Sequence, residues 1–247
     1  MRIAITGGTG TLGGHTAAEL RARGHEVRVL SRRAPEYPVD LETGDGLAAA
    51  LEGCDVVIDA SNDSSKRAGR ILVDGSRRLL AAEEAAGVGH HVCVSIVGCD
   101  RVPMAYFRVK TEQEHVVENG PVPWSIVRAT QFHEYVVATL TAAGRRGVLP
   151  VPRARLQTVA ATEAARAVAD VAEGPARRGR VAVAGPEIED ARDLARTWRS
   201  AAGRRAPLLP LPLPGRLGRA LRAGVLTTER PDVRGTVPFA DWLTATR

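Results

Sequence analysis

The stretch "RIAITGGTGTLGG", residues 2–14, decides the fold that we predict for this chain. Residues 2–6 are a short apolar run typical of a buried strand, and the pattern over 11–24 predicts a helix that ends at a glycine. Three glycines separate the strand from the helix with GxxGxxG spacing: Gly7, Gly10 and Gly13. A glycine-rich turn from a strand into a helix presents free backbone N–H groups and a positive dipole end, both of which favour a bound phosphate.

Each glycine has a separate physical reason to be there. Gly7 permits a tight turn, Gly10 lets the backbone approach a pyrophosphate, and Gly13 lets the helix pack closely. The alternative is a glycine-rich turn that binds nothing. We expect the loop to bind a dinucleotide cofactor through Gly7, Thr9, Gly10, Thr11, Leu12 and Gly13.

The rest of the first half alternates apolar runs with helical patterns. The predicted strands are 26–31, 55–61, 90–98 and 124–130, with a weak candidate at 39–42. The predicted helices are 46–52, 68–86 and 102–118. Continuous apolar strands that alternate with helices indicate a parallel sheet covered on both faces. The sequence therefore predicts an α/β fold with a doubly wound parallel (Rossmann) sheet.

After residue 131 the alternation of predicted strands and helices becomes less regular. The predicted elements there are helices 134–144, 162–173 (capped by Thr162), 190–202, 215–223 and 238–245, and a strand at 180–185. No internal repeat or flexible linker separates this part from the first half. We predict a single NAD(P)-binding domain over 1–247, with a cofactor part at about 1–130 and a small C-terminal α/β substrate lobe mainly at 131–247.

The end of the second predicted strand indicates which cofactor is bound. An NAD site normally places a carboxylate there to accept a hydrogen bond from the ribose 2′-OH. This chain has "VLSRRAP" instead, in which Ser31, Arg32 and Arg33 can meet a 2′-phosphate. Hydrogen bonds to charged groups are worth roughly 1.5–3 kcal/mol each, so one of them favours NADP(H) by about tenfold. The alternative is that both arginines are solvated loop residues.

Five segments together resemble a known family. They are "ITGGTGTLGG" (5–14), "LSRR" (30–33), "AAGVGHHVCVSIVG" (85–98), "YFRVK" (106–110) and "GPVPWSIVRATQF" (120–132). In this order and at these separations they resemble the atypical short-chain dehydrogenase/reductase superfamily, specifically its NmrA-like or NAD(P)H-binding group. The resemblance covers residues 1–135 well. It implies a Rossmann fold with the cofactor along the carboxyl ends of the strands.

The resemblance also implies a catalytic set of Ser95, Tyr106 and Lys110. A tyrosine has an ordinary pKa near 10, and a nearby ammonium lowers it toward the range useful for proton transfer. Lys110 would also contact the nicotinamide ribose, and Ser95 would hold the substrate oxygen. The asparagine that many catalytic relatives carry on the helix 68–86 is missing, with Leu72 and Asp74 in its region. The alternative for the Tyr–Lys pair is ordinary helix packing.

Ligands of this fold bind at the carboxyl ends of the strands, so residues that follow the predicted strands are further candidates for the cofactor and substrate sites. The expected cofactor contacts beyond the loop are Ala60, Ser61, Ile96, Ala129 and Thr130. The expected substrate contacts are Val97, Gln131, Phe132 and His133. For His133 the alternative is a surface or packing role. The residues so assigned imply an oxidoreductase that moves hydride to or from a carbonyl or quinone-like molecule, aromatic or polyketide-like. The alternatives are a non-enzymatic NADP(H) sensor and an isomerase or epimerase that retains its cofactor.

Composition narrows the classes of partner. The net charge is +6, but only two lysines are present and the arginines are scattered, so we expect no nucleic-acid partner. Three cysteines in apolar runs, without metal-ligand spacing, indicate reduced thiols and no metal site. No apolar run reaches about 18 residues and the chain begins within a strand, so we expect no membrane segment and no signal peptide. The expected protein is cytoplasmic and binds a small-molecule substrate, with a homodimer as one option for this fold.

Overall fold

The structure is a computed structural model that describes residues 1–145 and 147–246. Its strands are β1 (Arg2–Thr6), β2 (Glu26–Leu30), β3 (Val56–Asp59), β4 (His90–Ile96), β5 (Trp124–Ala129), β6 (Leu149–Pro152), β7 (Arg155–Leu156), β8 (Arg180–Ala184), β9 (Glu189–Asp190), β10 (Leu208–Leu211) and β11 (Val233–Arg234). Seven of them form a parallel sheet in the order β11-β8-β5-β4-β3-β1-β2. The predicted Rossmann-type α/β fold is confirmed.

The order of the strands marks the place where a ligand is expected. From β1 the chain moves outward to β2, and it then returns to the other side of β1 to form β3. Ile3 of β1 pairs with Val27 on one side and with Val56 on the other. In open parallel sheets, ligands bind outside the carboxyl ends of the strands at such a reversal. The glycine loop leaves β1 at this reversal.

The helices follow the predicted pattern closely. They are α1 (Thr11–Ala22), α2 (Leu47–Leu51), α3 (Gly75–Ala86), α4 (Ala105–Glu118), α5 (His133–Gly144), α6 (Ala161–Glu173), α7 (Ala191–Ala201), α8 (Gly215–Arg222) and α9 (Phe239–Ala245). A π-helical turn, Gly69–Asp74, runs directly into α3, and a 3₁₀ turn at Cys99–Arg101 precedes α4. None of the helices in the described parts of the chain is long and apolar enough to cross a membrane.

Two local predictions are wrong. The weak strand at 39–42 is a turn, because the Asp40 carboxylate accepts a hydrogen bond from the Glu42 N–H (2.8 Å) and bends the chain. Thr162 does not cap α6, which begins one residue earlier at Ala161. The Ala161 N–H instead donates to the Glu134 carboxylate at 3.2–3.3 Å, so a side chain distant in sequence serves as the cap.

The chain divides into two compact units. Unit 1 comprises Met1–Ser95, Ala105–Arg128 and Ala165–Val181. Its hydrophobic core includes Leu51, Val57, Leu79 and Ile126, all fully buried. The thiols Cys54 and Cys93 are reduced and buried in it.

Unit 2 comprises Ile96–Met104, Ala129–Ala164 and Ala182–Arg247. Its core packs α5, α7 and α9 around a central aromatic group with Trp198 and Phe239. Two small two-stranded sheets belong to it, β6 paired with β10 in parallel and β7 paired with β9 antiparallel.

Candidate cofactor and catalytic site

The glycine loop of unit 1 leaves no room for side chains at two of its positions. Gly7 has a φ of +66°, and a Cβ there would lie 2.5 Å from the carbonyl oxygen of Ala60. A Cβ at Gly13 would lie 2.4 Å from the carbonyl oxygen of Gly7. Both contacts are far inside van der Waals distance. The turns that follow β1 and β3 therefore touch, and the first turn of α1 packs directly on the glycine loop.

The amino end of α1 is open to an anion. Gly10 caps the helix with extended backbone and no side-chain hydrogen bond, and no acidic residue lies in the first turn. Thr9, Gly10 and Thr11 are exposed, whereas Leu12 and Gly13 are buried. Free N–H groups and a helix dipole without a competing carboxylate are the features that bind a pyrophosphate.

The segment after β2 presents two cations. Arg32 and Arg33 are both exposed, and neither side chain has a hydrogen bond or ion pair with another described residue. The Ser31 hydroxyl accepts a hydrogen bond from the Arg33 N–H at 3.3 Å, which forms a local turn. Because β2 pairs with β1 in parallel, these residues leave the sheet at the same edge as the glycine loop.

The loop after β3 holds the hydroxyl of Tyr106. The Tyr106 hydroxyl lies 2.8 Å from the side-chain oxygen of Asn62, to which it donates. Asn62 comes two residues after Ala60, the residue that packs on Gly7. The phenol therefore lies at the carboxyl edge of the sheet, beside the glycine loop. The sequence had not suggested Asn62; the signal available was a polar "SND" directly after a buried strand.

Lys110 is buried, with only 3% of its surface exposed. Its ammonium donates to the backbone carbonyl of Val94 at 2.8 Å and to the side-chain oxygen of Gln113 at 2.6 Å. Tyr106 and Lys110 both lie on α4, four residues apart. The lysine is thus held by backbone and amide oxygens at a defined place one turn along the helix from the tyrosine.

A buried polar network continues from Lys110 to a carboxylate. The Gln113 amide nitrogen donates to Asp59 at 2.9 Å and approaches the Ser76 hydroxyl at 3.1 Å. Burial opposes ionisation of Asp59, but the positive charge of His91 and the hydrogen bonds that the carboxylate accepts hold its pKa below the usual value. Asp59 is therefore an anion at neutral pH, connected to the ammonium through one amide group.

Ser95 is buried in unit 1, where a carboxylate accepts a hydrogen bond from its hydroxyl. It is 2% exposed, and its hydroxyl donates to the Glu114 carboxylate at 2.5 Å. Glu114 is fully buried and forms ion pairs with Arg128 (2.6 Å) and Arg180 (3.1 Å). It lies eight residues beyond Tyr106, which is about 12 Å along a helix. The structure therefore holds the Ser95 hydroxyl at a buried ion cluster, two helical turns from Tyr106.

The other two cofactor contacts expected in unit 1 are Ala60 and Ser61, which directly follow β3. Ser61 is 8% exposed, and its N–H donates to Asp59 at 3.0 Å. Its hydroxyl has no hydrogen-bond partner within the described parts of the chain. Ala60 has only a methyl side chain, so its polar groups are those of its backbone. Its carbonyl oxygen faces Gly7.

Four of the expected cofactor and substrate contacts in unit 2 lie at the ends of the strands β4 and β5. The Val97 N–H donates to the Ala129 carbonyl at 3.0 Å, and the Thr130 N–H donates to Val183 at 2.9 Å. These hydrogen bonds engage the N–H groups of Val97 and Thr130 and the carbonyl of Ala129. Ile96, at the end of β4, is half-buried.

Gln131, Phe132 and His133 follow β5 and differ in their surroundings. His133 is fully buried, packs its ring 5.4 Å from the rings of Phe239 and Trp242, and bonds to the Val237 carbonyl at 3.1 Å. This placement favours a packing role. Phe132 occupies the N-cap position of α5, where its side chain makes no capping hydrogen bond, and it is half-buried. Both amide atoms of Gln131 are buried and have no partner among the described residues, so this side chain could still satisfy a polar ligand.

The chain belongs to the NAD(P)H-binding family, whose model matches residues 7–175. It is 30% identical to a ceramide reductase of Caulobacter vibrioides over 263 residues, covering 94% of this chain and 81% of that protein. By contrast, it spans only 12% of the length of proteins that it matches in Mycobacterium bovis and Mycobacterium tuberculosis.

Two solved structures share the fold. A nucleoside-diphosphate-sugar epimerase of Staphylococcus aureus superposes with a TM-score of 0.81 at 16% identity, covering 98% of this chain and 99% of that one. An NADPH complex of a quinone oxidoreductase from Escherichia coli superposes with a TM-score of 0.76 at 19% identity, covering 99% of both chains. The predicted membership of the NmrA-like or NAD(P)H-binding group is confirmed by the family match, and the two solved structures share the overall fold.

Proposed function

We propose that this protein is an NADP(H)-dependent oxidoreductase that transfers hydride to or from a carbonyl or quinone-like small molecule. One observation carries the proposal: the Tyr106 hydroxyl lies 2.8 Å from Asn62, at the carboxyl edge of the sheet where the turns after β1 and β3 meet. A phenol at this edge is a proton donor placed beside a dinucleotide-binding loop.

The cofactor fits the residues that line this edge. The tight approach of Gly7 and Gly13 to neighbouring backbone leaves the open end of α1 for the pyrophosphate, and Arg32 and Arg33 supply charge for a 2′-phosphate. When bound, the nicotinamide supplies or accepts the hydride. In this proposal unit 1 carries the cofactor. The substrate contacts expected at Val97, Gln131, Phe132 and His133 remain predictions, and the buried amide of Gln131, which has no partner among the described residues, is the best supported of them.

The proton of the reaction would come from Tyr106. An unmodified phenol, with a pKa near 10, gives up its proton slowly at neutral pH, and a positive charge nearby favours its ionised form. Lys110 would supply that charge from its fixed position on the same helix. Asn62 accepts the phenolic hydrogen bond and so orients the hydroxyl. Ser95 would contribute only after its hydroxyl leaves Glu114, and its role in holding the substrate oxygen remains a prediction.

Two of the similar proteins are named for this chemistry: one is a ceramide reductase and the other an NADPH-dependent quinone oxidoreductase. They support a search among ketones, aromatic or polyketide-like carbonyl compounds and quinones. The first experiment measures NADPH oxidation by absorbance against a panel of such acceptors. We expect steady turnover that falls by about 10²-fold or more in Tyr106→Phe, in line with the usual contribution of a general acid.

Tyr135→Phe is the matched control, because Tyr135 lies on another helix and is 65% exposed. Equal activity of the Tyr106 and Tyr135 variants would refute the proton-donor role. Tight NADPH binding without turnover on any acceptor would show a sensor instead. Conversion of a substrate without net change in the cofactor would show an isomerase or epimerase.

The preference for NADP(H) has a separate test. Arg32→Ala and Arg33→Ala should each weaken NADPH binding about tenfold while leaving NADH binding unchanged, because only NADPH carries the 2′-phosphate. Arg230→Ala, which removes another exposed arginine, is the control. Equal losses for the two cofactors would refute the 2′-phosphate assignment.

A further inference from the structure

A surface cleft of about 620 Å³ opens in unit 2. Its volume lies within the range of small-molecule binding sites, about 300–1,000 Å³. The two strands β6 and β10 and the first turns of α7 form its walls. Thirteen residues line it, drawn from 151–155, 190–196, 208–210 and Arg222.

The cleft concentrates positive charge. Five of its thirteen lining residues are arginine, although arginine is only about one residue in eight of the chain. The two aspartates are already engaged: Asp193 pairs with Arg196 at 2.6 Å, and Asp190 caps α7 by accepting from the Arg192 N–H at 2.8 Å. With both carboxylates counted against the five arginines, the lining keeps a net charge of +3 (five positive less two negative groups).

Three of those guanidinium groups have no hydrogen-bond acceptor in the described parts of the chain. The side chains of Arg153, Arg155 and Arg192 are exposed and make no hydrogen bond or ion pair with any described residue. Guanidinium groups bind carboxylate and phosphate in a planar, two-pronged geometry. Three of them around one cleft form a receptor for an anion.

The same cleft has an apolar side. Val151 and Ala154 are buried in its wall, Leu208 is half-buried, and Leu209 is 47% exposed beside them. Leu209 therefore adds exposed apolar surface to the side of the cleft that Val151 and Ala154 line. A ligand with an acidic group and an apolar body satisfies both sides together.

We propose that this cleft binds a small anionic amphiphile, in which a phosphate or carboxylate group is attached to an apolar body of roughly ten to twenty heavy atoms. The cleft shares no lining residue with the glycine loop, and the proposal does not depend on the proposed oxidoreductase function. A recessed volume favours a small molecule over a membrane surface or a nucleic-acid strand, because those partners need an extended basic stripe.

The test titrates the full chain by calorimetry with 1-naphthyl phosphate, 1-naphthoate, 1-naphthol and inorganic phosphate, at low salt. We expect one or both naphthyl anions to bind at least tenfold more tightly than naphthol or inorganic phosphate. Stronger binding of the phosphate or of the carboxylate tells which anion the site prefers. Saturating NADPH should not displace the probe.

Substitutions then locate the binding. The combined variant Arg153→Gln, Arg155→Gln and Arg192→Gln should lose at least tenfold in affinity for the naphthyl anions, whereas Arg230→Gln, with an exposed arginine outside the cleft, should not. Leu209→Asn should weaken the naphthyl anions without changing inorganic phosphate. Unchanged NADPH affinity and circular dichroism would show that these variants are folded.

Three results would overturn the proposal. They are equal binding by the triple variant and the wild type, displacement of the probe by NADPH, and binding of inorganic phosphate or 1-naphthol as tight as that of the naphthyl anions.

Discussion

Replacement of Gln113 by leucine tests the buried network beneath the proposed site. The Gln113 amide is the only group that connects the Lys110 ammonium to Asp59 among the described residues: its oxygen accepts from Lys110 at 2.6 Å, and its nitrogen donates to Asp59 at 2.9 Å. Leucine has a similar size but neither function. The substitution leaves both charges buried and each short of one partner.

The magnitude follows from these two bonds. A hydrogen bond to a charged group contributes about 1.5–3 kcal/mol, and a buried charge that loses its partner cannot recover the difference from water. With the lower value for each bond, Gln113→Leu should lose about 3 kcal/mol of unfolding free energy. For a chain of this size that corresponds to a fall in Tm of about 6–12 °C.

Urea denaturation followed by far-UV circular dichroism measures the change. Gln131→Leu is the matched control, because both amide atoms of Gln131 are buried without a partner in the described parts of the chain. Its loss should be small or reversed in sign, since no hydrogen bond is removed. Equal losses in the two variants would refute the reasoning, because they would show that the network adds nothing beyond side-chain packing.

The pH dependence gives the same argument a second readout. Because the folded state lowers the pKa of Asp59, its contribution to stability is present above the unfolded pKa, near 4, and is lost as the pH falls toward the folded value. The gap between wild type and Gln113→Leu should therefore narrow on acidification. A gap that is constant from pH 7 to pH 3 would contradict a charged Asp59.

Three further predictions follow from other contacts. Gly13→Ala places a Cβ 2.4 Å from a loop carbonyl oxygen and should weaken NADPH binding at least tenfold in a fluorescence titration, whereas Gly14→Ala, with 3.7 Å of clearance, should bind normally. Glu114→Gln should cost about 3 kcal/mol in urea denaturation at pH 7, while Glu112→Gln, which is exposed, should change stability by less than about 0.5 kcal/mol. Burial opposes ionisation of Glu114, but its hydrogen bonds with Arg128 and Ser95 hold its pKa below the usual value, so the wild-type advantage should shrink as the pH falls. Burial lowers the pKa of His133, so wild-type stability should decline as the pH falls below about 6.5, and His133→Phe should flatten that decline in thermal melts at pH 7.5 and pH 5.

The central sheet could be predicted from the sequence because its signals are local. Each of β1 to β5 is an apolar run between turn residues, and the glycine spacing identifies which strand carries the loop. The strands β6 and β10 escaped prediction because they contain proline and alternate little. The turn at Asp40 was mistaken for a strand because a single side-chain hydrogen bond overrode the apolar pattern around it.

The candidate site could be predicted only where its residues come from one segment. The glycine loop and the Tyr106–Lys110 pair are read from short spacings, but the partner of Tyr106 lies 44 residues away in sequence, and Gln113 meets an aspartate 54 residues away. Nothing in a single sequence reports such pairs. Ser95 is a further example. Its spacing from Tyr106 in the sequence gives no sign that its hydroxyl donates a hydrogen bond to the buried carboxylate of Glu114.

The buried charges of unit 1 are difficult to explain by stability alone. Replacing a buried ionic network by apolar side chains is often neutral or stabilising, because each charge loses several kcal/mol of hydration. Asp59 and Lys110 are both nearly or fully buried, and a single amide connects them at the edge of the sheet where the glycine loop lies. Such a network does one thing that apolar packing cannot, because it holds an ammonium group at a fixed position, on a lysine one helical turn from Tyr106. The cost in hydration is therefore reasonable if Lys110 acts on the phenol, and Gln113→Leu should then lower the rate of NADPH oxidation by more than its effect on NADPH affinity.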